Sequence, residues 1–252
     1  MKVFFVGAGP GDPELLTRKA DRLLQNSRVC IYAGSLVSPA VTARIHPGAR
    51  LHNSAEMTLS QILDVCCRAA EHDQDVVRLH SGDPSIYGAI REQMNGLDRL
   101  GIAYEVVPGV SAFQAAAAAL KTELTVPEIA QTIILTRTAG RTPLPEKEML
   151  ENLGAIRATL CIFLSAQQTE AVFTKLIPYY GADCPTAVVY HASWPDETIV
   201  EGTLDGLLKN GKAAAFSGGA LVLVGQALGR HAPASKLYDP AFSHQFREGH
   251  NQ

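Results

Sequence analysis

The chain has 252 residues, 46% of them hydrophobic and 19% charged, and a formal net charge of -3. That size and apolar content allow a large buried core, arranged as one large domain or two smaller ones. The slightly acidic balance and the lack of any lysine or arginine run exclude a surface-wide field for nucleic acid, while a local basic pocket for small anions stays open.

The first half alternates strand and helix, which predicts a mostly parallel sheet covered on both faces. Val3 to Val6 reads as a strand, and Asp12-Pro13 opens a helix with Leu15, Leu16, Ala20, Leu23 and Leu24 at helical spacing. Arg28 to Tyr32 is the next strand, Leu59 to His72 a helix with Leu59, Ile62, Leu63, Val65 and Cys66 on one side, and Val76 to Leu79 a strand. Ser85 to Leu100 is predicted helical, stopped by Gly101. Tyr104 to Val107 and the alanine-rich helix Ser111 to Leu120 complete this part, the alanines giving a thin side for close packing.

The pattern changes at Lys121 to Gln131, so a first domain over 1–121 is expected, followed by a second over 132–230. In the second, strands are expected at Thr132 to Arg137, Thr159 to Ser165, Thr186 to Tyr190, Thr198 to Gly202 and Leu221 to Val224, with helices at Thr169 to Tyr179 and Leu204 to Lys209. This spacing predicts a second α/β domain with some antiparallel pairing. The polar stretch 231–252 is expected to be a surface tail.

The five cysteines have no CxxC spacing, and Cys30 and Cys161 fall in apolar strands, so buried reduced thiols are expected. The eight histidines show no HxH or HExxH pattern, and no metal site is expected. No uninterrupted apolar run reaches the roughly 18 residues of a membrane span. Met1-Lys2 leads into a short strand without a signal-peptide pattern, so a cytoplasmic protein with no membrane partner is expected.

Three strands each run into a glycine turn: KVFFVGAGPGD (Lys2 to Asp12), DVVRLHSGDPSIYG (Asp75 to Gly88) and AYEVVPGVSA (Ala103 to Ala112). A glycine turn after a parallel strand lets a ligand approach backbone, and three of them suggest one crevice. The first is not the dinucleotide GxGxxG. Its glycines fall as GxGxG, Pro10 removes a donor, Asp12 puts negative charge where a phosphate would lie, and the second strand ends in Ala33-Gly34 without a ribose-binding acid. A less anionic ligand suits the loop better, with a plain tight turn as the alternative. Asp83 is either a ligand acceptor or a cap, and Ser111 stands at another helix start.

In this order and separation, GAGPGDPELLT, GDPSIYG and VPGVSA resemble the tetrapyrrole methylases, which transfer methyl from S-adenosylmethionine, releasing S-adenosylhomocysteine, to porphyrin-like and corrin-precursor macrocycles. The resemblance runs from Val3 to about Gly229. It implies two α/β domains with a cofactor cleft between them. Tyr32 to Val37, Asn53 to Glu56, Leu135 to Thr138, Gly140 to Pro143 and Phe242-Ser243-His244 are most similar to the branch that methylates C11 of precorrin-4 or cobalt-precorrin-4, in cobalamin biosynthesis. The second loop favours the cobalt form, and any cobalt belongs to the substrate. The branch acting on uroporphyrinogen III usually carries an Asp where this chain has Ala33-Gly34-Ser35; that branch and the precorrin-3 branch remain as alternatives.

The resemblance implies cofactor contacts from Pro10, from Gly82, Asp83, Ile86 and Tyr87, and from Ser111 and Ala112, joined by Leu164, Ala192, Ala220 and Leu221, several through backbone. Leu164 stands where relatives often have Met. The acceptor carries acetate and propionate groups, which arginine forks suit, and Arg137 and Arg141 are the candidates, with Ser35 and Glu56 beside them. The activated donor leaves little for side chains beyond alignment. Glu56, His191 and Asp83 are nominal bases, and no catalytic residue is assigned. A homodimer is expected from the resemblance. A nicotinamide oxidoreductase and a corrinoid-binding carrier are the competing classes.

Overall fold

The computed structural model describes residues 1–140, 142–216, 218–229 and 239–248. It divides into two compact units, Met1–Ala119 with His191–Glu197, and Leu120–Tyr190 with Thr198–Gln252. Each contains its own five-stranded sheet.

In the first unit, β1 (Val3–Gly7), β2 (Val29–Tyr32), β3 (Arg50–Asn53), β4 (Val76–His80) and β5 (Tyr104–Val107) are all parallel, in the order β3-β2-β4-β1-β5. Their helices are α1 (Arg18–Asn26), α2 (Pro39–Thr42), α3 (Leu59–Glu71), α4 (Ile90–Leu100) and α5 (Ala112–Ala119). Alternating strand residues feed two cores. Val6, Cys30, Val77, Leu79 and Val107 pack with Ala20, Leu24 and Val41, while Val3, Phe5, Val29, Ile31 and Val76 pack with Ile62, Val65, Cys66, Ala69 and Leu97. A two-sided core explains why these strands read as continuous apolar runs. The register sets Gly7 beside His80 and Val6 beside Val107, so the ends of β4, β1 and β5 lie together.

Several elements differ from expectation, the short unexpected helix α2 among them. The helix expected from Asp12 is instead a 3-10 turn, Pro13–Leu15, capped by Asp12, and then α1, whose cap Thr17 accepts from the Ala20 N–H at 3.1 Å. Two capping residues so close together restart the helix rather than extend it. The helix expected from Ser85 begins only at Ile90, because Tyr87 and Ala89 take left-handed backbone, φ 54° and 49°. Strand β3 was not expected: Arg50-Leu51-His52-Asn53 lies at a sheet edge with its first two residues exposed, so it has no apolar alternation.

The second unit has β6 (Ile133–Arg137), β7 (Thr159–Phe163), β8 (Pro185–Tyr190), β9 (Thr198–Thr203) and β10 (Ala220–Val224), in the order β6-β7-β10-β8-β9. Only β6 and β7 are parallel. Helices α6 (Leu150–Gly154), α7 (Thr169–Tyr180) and α8 (Leu204–Asn210) cover a core of Leu160, Ile162, Phe173, Leu176, Val188, Leu204, Leu207 and Val222. β7 stops at Phe163 rather than Ser165 because Leu164 turns left-handed, φ 54°.

Cys30, Cys66, Cys161 and Cys184 are buried free thiols and Cys67 is half-buried. Burial pushes the first three up to about 12 and Cys184 to about 11, so they stay protonated. Among the described residues no helix is long and apolar enough to cross a membrane, and no group of His, Cys, Asp or Glu could hold a metal ion. Of the expected tail, 231–238 and 249–252 lie outside the described residues, and the described part is mostly exposed.

Candidate functional site

The three glycine loops follow β1, β4 and β5 and are joined by backbone. Gly9 and Gly82 exchange N–H···O bonds of 3.2 and 2.8 Å, and the Ala8 N–H donates to the His80 carbonyl at 2.7 Å. Gly109 lies so close that a Cβ there would fall 2.2 Å from the Gly82 oxygen and 2.9 Å from the Gly7 Cα. Gly9 and Gly82 also need positive φ, 68° and 58°. No residue with a side chain fits this junction.

Asp83 ties the second loop to the third. One carboxylate oxygen accepts from the Gly109 N–H at 2.9 Å, and the other accepts from the Ser85 N–H at 2.8 Å and from the Ser85 hydroxyl. Burial pushes its pKa up, but the Ser85 and Gly109 donors outweigh that and hold it below the usual carboxylate range. Asp83 therefore caps no helix, because α4 starts only at Ile90, and instead shapes the loops through both oxygens. Pro10 and Ile86 are half-buried, Tyr87 is 44% exposed, Ser111 is buried and Ala112 half-buried at the start of α5. All seven loop residues expected to hold the cofactor therefore lie in the first unit, on loops joined by backbone.

The segment His191–Glu197 belongs to the same unit and covers the first loop. Trp194 donates its indole N–H to the Pro10 carbonyl at 2.7 Å, and the Asp12 N–H donates to the Ser193 hydroxyl at 3.0 Å. A Cβ on Gly11 would fall 2.0 Å from the Trp194 ring, so glycine is required beneath it. The His191 ring stacks on Trp194 at 4.2 Å between centroids, and its Nδ1 lies 3.0 Å from the Asp196 carboxylate. Ala192, an expected contact, is buried in this segment. Sequence reasoning missed Trp194; its being the chain's single tryptophan, in a Ser-Trp-Pro-Asp turn, was the available signal.

Beneath the loops, β4 carries two further polar side chains that sequence reasoning missed. Arg78 is 6% and His80 4% exposed. The Arg78 Nε donates to Gln93 Oε1 at 3.0 Å, while the His80 Nε2 has no partner. Basic residues inside an otherwise apolar strand were the signal for both.

Ser35 and Glu56 follow the neighbouring strands β2 and β3 and are exposed. The Asn53 amide donates to Glu56 at 3.3 Å, and Glu56 borders an open hollow with His52, Gln61 and Arg68. In the second unit Leu164, 68% exposed, follows β7, and Ala220 and Leu221 begin the antiparallel β10 with their side chains buried. Arg137 is directed differently from expectation: its NH1 donates to the Thr138 and Thr142 carbonyls and its NH2 to Pro143. It braces its own loop. Arg141 lies outside the described residues.

A junction of backbone amides and carbonyls with no room for a Cβ on Gly7 or Gly109 suits a ligand held by main chain rather than a pyrophosphate, because Pro10 lacks a donor and the Asp12 carboxylate caps the turn after it. This site and this pair of α/β sheets define a tetrapyrrole methylase. Residues 2–208 match the family model "Tetrapyrrole (Corrin/Porphyrin) Methylases", and the chain belongs to that family. More narrowly, it is 47% identical to the cobalt-precorrin-4 C(11)-methyltransferase of Methanocaldococcus jannaschii, over 100% of this chain and 98% of that one. It is 48% identical to the precorrin-4 C(11)-methyltransferase of Pseudomonas aeruginosa, over 99% and 100%. Among solved structures it is similar to a cobalamin biosynthetic enzyme, cobalt precorrin-4 methyltransferase, with TM-score 0.87 and 44% identity over 90% of this chain and 96% of that one. It also matches a uroporphyrin-III C-methyltransferase from Thermus thermophilus complexed with S-adenosylhomocysteine, with TM-score 0.76 and 30% identity over 90% and 99%.

Proposed function

We propose that this chain is an S-adenosylmethionine-dependent methyltransferase that places a methyl group on C11 of precorrin-4, free or as its cobalt complex. The observation that carries the reading is the backbone junction of Gly7, Gly82 and Gly109, where the three loops pack too closely to admit a Cβ on Gly7 or Gly109. It is supported by nearly full-length likeness to two enzymes named for C11 methylation of this substrate, and by S-adenosylhomocysteine in a related structure.

When bound, S-adenosylmethionine supplies a methyl group already activated by its sulfonium. The residues of the chain bind and orient. Pro10, Gly82, Ile86, Tyr87, Ser111, Ala112 and Ala192 of the first unit hold the cofactor, with Asp83 keeping two loops in register, and the family resemblance adds Leu164, Ala220 and Leu221 to the candidates. Alignment of donor and acceptor supplies most of the acceleration. Ser35 and Glu56 contact the macrocycle, and Arg137 shapes the loop after β6. Asp83, with both oxygens engaged, is a poor base. In this reading residues 1–121 and 132–230 are the two domains and 231–252 a tail, His191–Glu197 serves the first, and the enzyme is a cytoplasmic homodimer.

The test is incubation with methyl-labelled S-adenosylmethionine and precorrin-4 or cobalt-precorrin-4 in turn, read by mass and by NMR of the labelled carbon. Label at C11 is expected. Label on another carbon, or no transfer to either substrate, overturns the assignment, and NAD binding without S-adenosylhomocysteine binding returns the oxidoreductase reading.

A further inference from the structure

We propose that Gln93, anchored by Arg78, is a positioning residue that sets the shape of the second glycine loop from the core beneath it. The inference rests on the reading that this loop binds the cofactor.

Arg78 sits in β4 among Val3, Phe5, Ile62, Cys66 and Leu97, where an apolar side chain would fill the space without the desolvation cost of a cation. Its hydrogen bonds run to Gln93 Oε1 at 3.0 Å and to the carbonyls of Leu79 and Ile31 at 3.2 and 3.4 Å, with no carboxylate among them. A guanidinium only donates, so it fixes which end of the Gln93 amide faces it. The amide nitrogen then points the other way and donates to the Ala89 carbonyl at 3.1 Å. Gln93 is 5% exposed, so neither bond competes with bulk water.

Ala89 is where the loop needs support. It ends the second loop in left-handed backbone, φ 49°, two residues after Tyr87 at φ 54°. Between them Gly88 is packed so closely on Pro84 that a Cβ would fall 2.2 Å from the Pro84 oxygen. Left-handed backbone is unfavourable for Ala and Tyr and persists only where surrounding structure over-determines it. The start of α4 at Ala89 has no side-chain cap of its own. The chain Arg78 to Gln93 to Ala89 does not cap the first N–H groups of α4 but fixes the Ala89 carbonyl, and through it the backbone that places Ile86 and Tyr87.

The test is calorimetric binding of S-adenosylhomocysteine, with thermal unfolding alongside. Gln93→Glu keeps an acceptor for Arg78 but loses the donor to Ala89, so the melting temperature should hold while the dissociation constant rises about tenfold, the worth of one well-placed hydrogen bond. Kinetically, the KM for S-adenosylmethionine should rise with kcat little changed. If Gln93→Glu does not fold, the double variant Arg78→Leu/Gln93→Met removes both polar partners together, a replacement that can be near neutral for stability, and should weaken binding equally. Binding within twofold of the unaltered protein, in whichever variant folds, overturns the inference. Failure of the unaltered protein to bind S-adenosylhomocysteine instead overturns the cofactor reading, and the inference with it.

Discussion

Lowering the pH from 7 to 5 should destabilise the first unit chiefly through His80. Its imidazole is 4% exposed, its Nε2 has no partner, and the Phe5 ring lies 6.0 Å away. Burial, reinforced by the Arg78 charge, pulls its pKa down to about 3, against about 6.5 in an unfolded chain. Between those values the unfolded chain binds a proton that the folded one refuses. The stabilisation is therefore complete above about pH 6.5 and is lost as the pH falls toward 3. At about 1.4 kcal/mol per pH unit, the loss by pH 5 comes to about 2 kcal/mol, a substantial part of the roughly 5–15 kcal/mol that holds a domain folded. Asp21, Asp73, Asp83, Glu105 and Glu151 all have pKa values lowered from the ordinary carboxylate range, so they release stability only at lower pH. His52 shifts downward too, through burial, so the useful quantity is the difference between the protein and His80→Phe. Urea unfolding at pH 7, 6 and 5, followed by the fluorescence of Trp194 in the same unit, reads that difference. The variant should lose most of the pH slope. Parallel slopes for the two proteins would refute a neutral, buried His80.

Three other outcomes follow from the same contacts. Gly109→Ala puts a Cβ 2.2 Å from the Gly82 oxygen and forces the loops apart; at about 1–3 kcal/mol for overpacking, S-adenosylhomocysteine should bind at least tenfold more weakly by calorimetry, with the circular dichroism spectrum retained. Trp194→Phe keeps the stack on His191 but removes the donor to Pro10; it should cost about 1 kcal/mol and speed hydrogen exchange of the Gly9, Gly11 and Asp12 amides. Arg137→Met releases the carbonyls of Thr138, Thr142 and Pro143; it should raise the KM for the tetrapyrrole while leaving that for S-adenosylmethionine unchanged, and equal shifts in both would count against a substrate loop.

Much of this was legible in the sequence, for physical reasons that differ by element. β1 and β4 are short apolar runs leading into glycine turns, a pattern that central parallel strands produce by burying both faces, and β5 was legible from Tyr104-Glu105-Val106-Val107 and the Pro-Gly turn after it. The edge strand β3 was invisible because an edge needs no apolar alternation. The late start of α4 was hidden because Gly88 was read as a tolerated glycine inside a helix from Ser85, and only the backbone reveals the left-handed Tyr87 and Ala89. Arg137 was read as a carboxylate fork because its neighbours in sequence suggested a loop; that the loop's own carbonyls would take its donors depends on a turn no residue type announces. Trp194 touches Pro10 across most of the chain's length, and a contact at that separation leaves no periodic trace.

The junction of Gly7, Gly82 and Gly109 also constrains how the sequence can vary. Where two side chains collide, one can change rotamer or a neighbour can shrink. Here the colliding atoms are main-chain atoms of residues that already lack side chains, so nothing remains to be trimmed. A search for second-site suppressors of Gly109→Ala should recover reversion at position 109 and no compensating change at 7 or 82, three distant codons behaving as a single unit of inheritance.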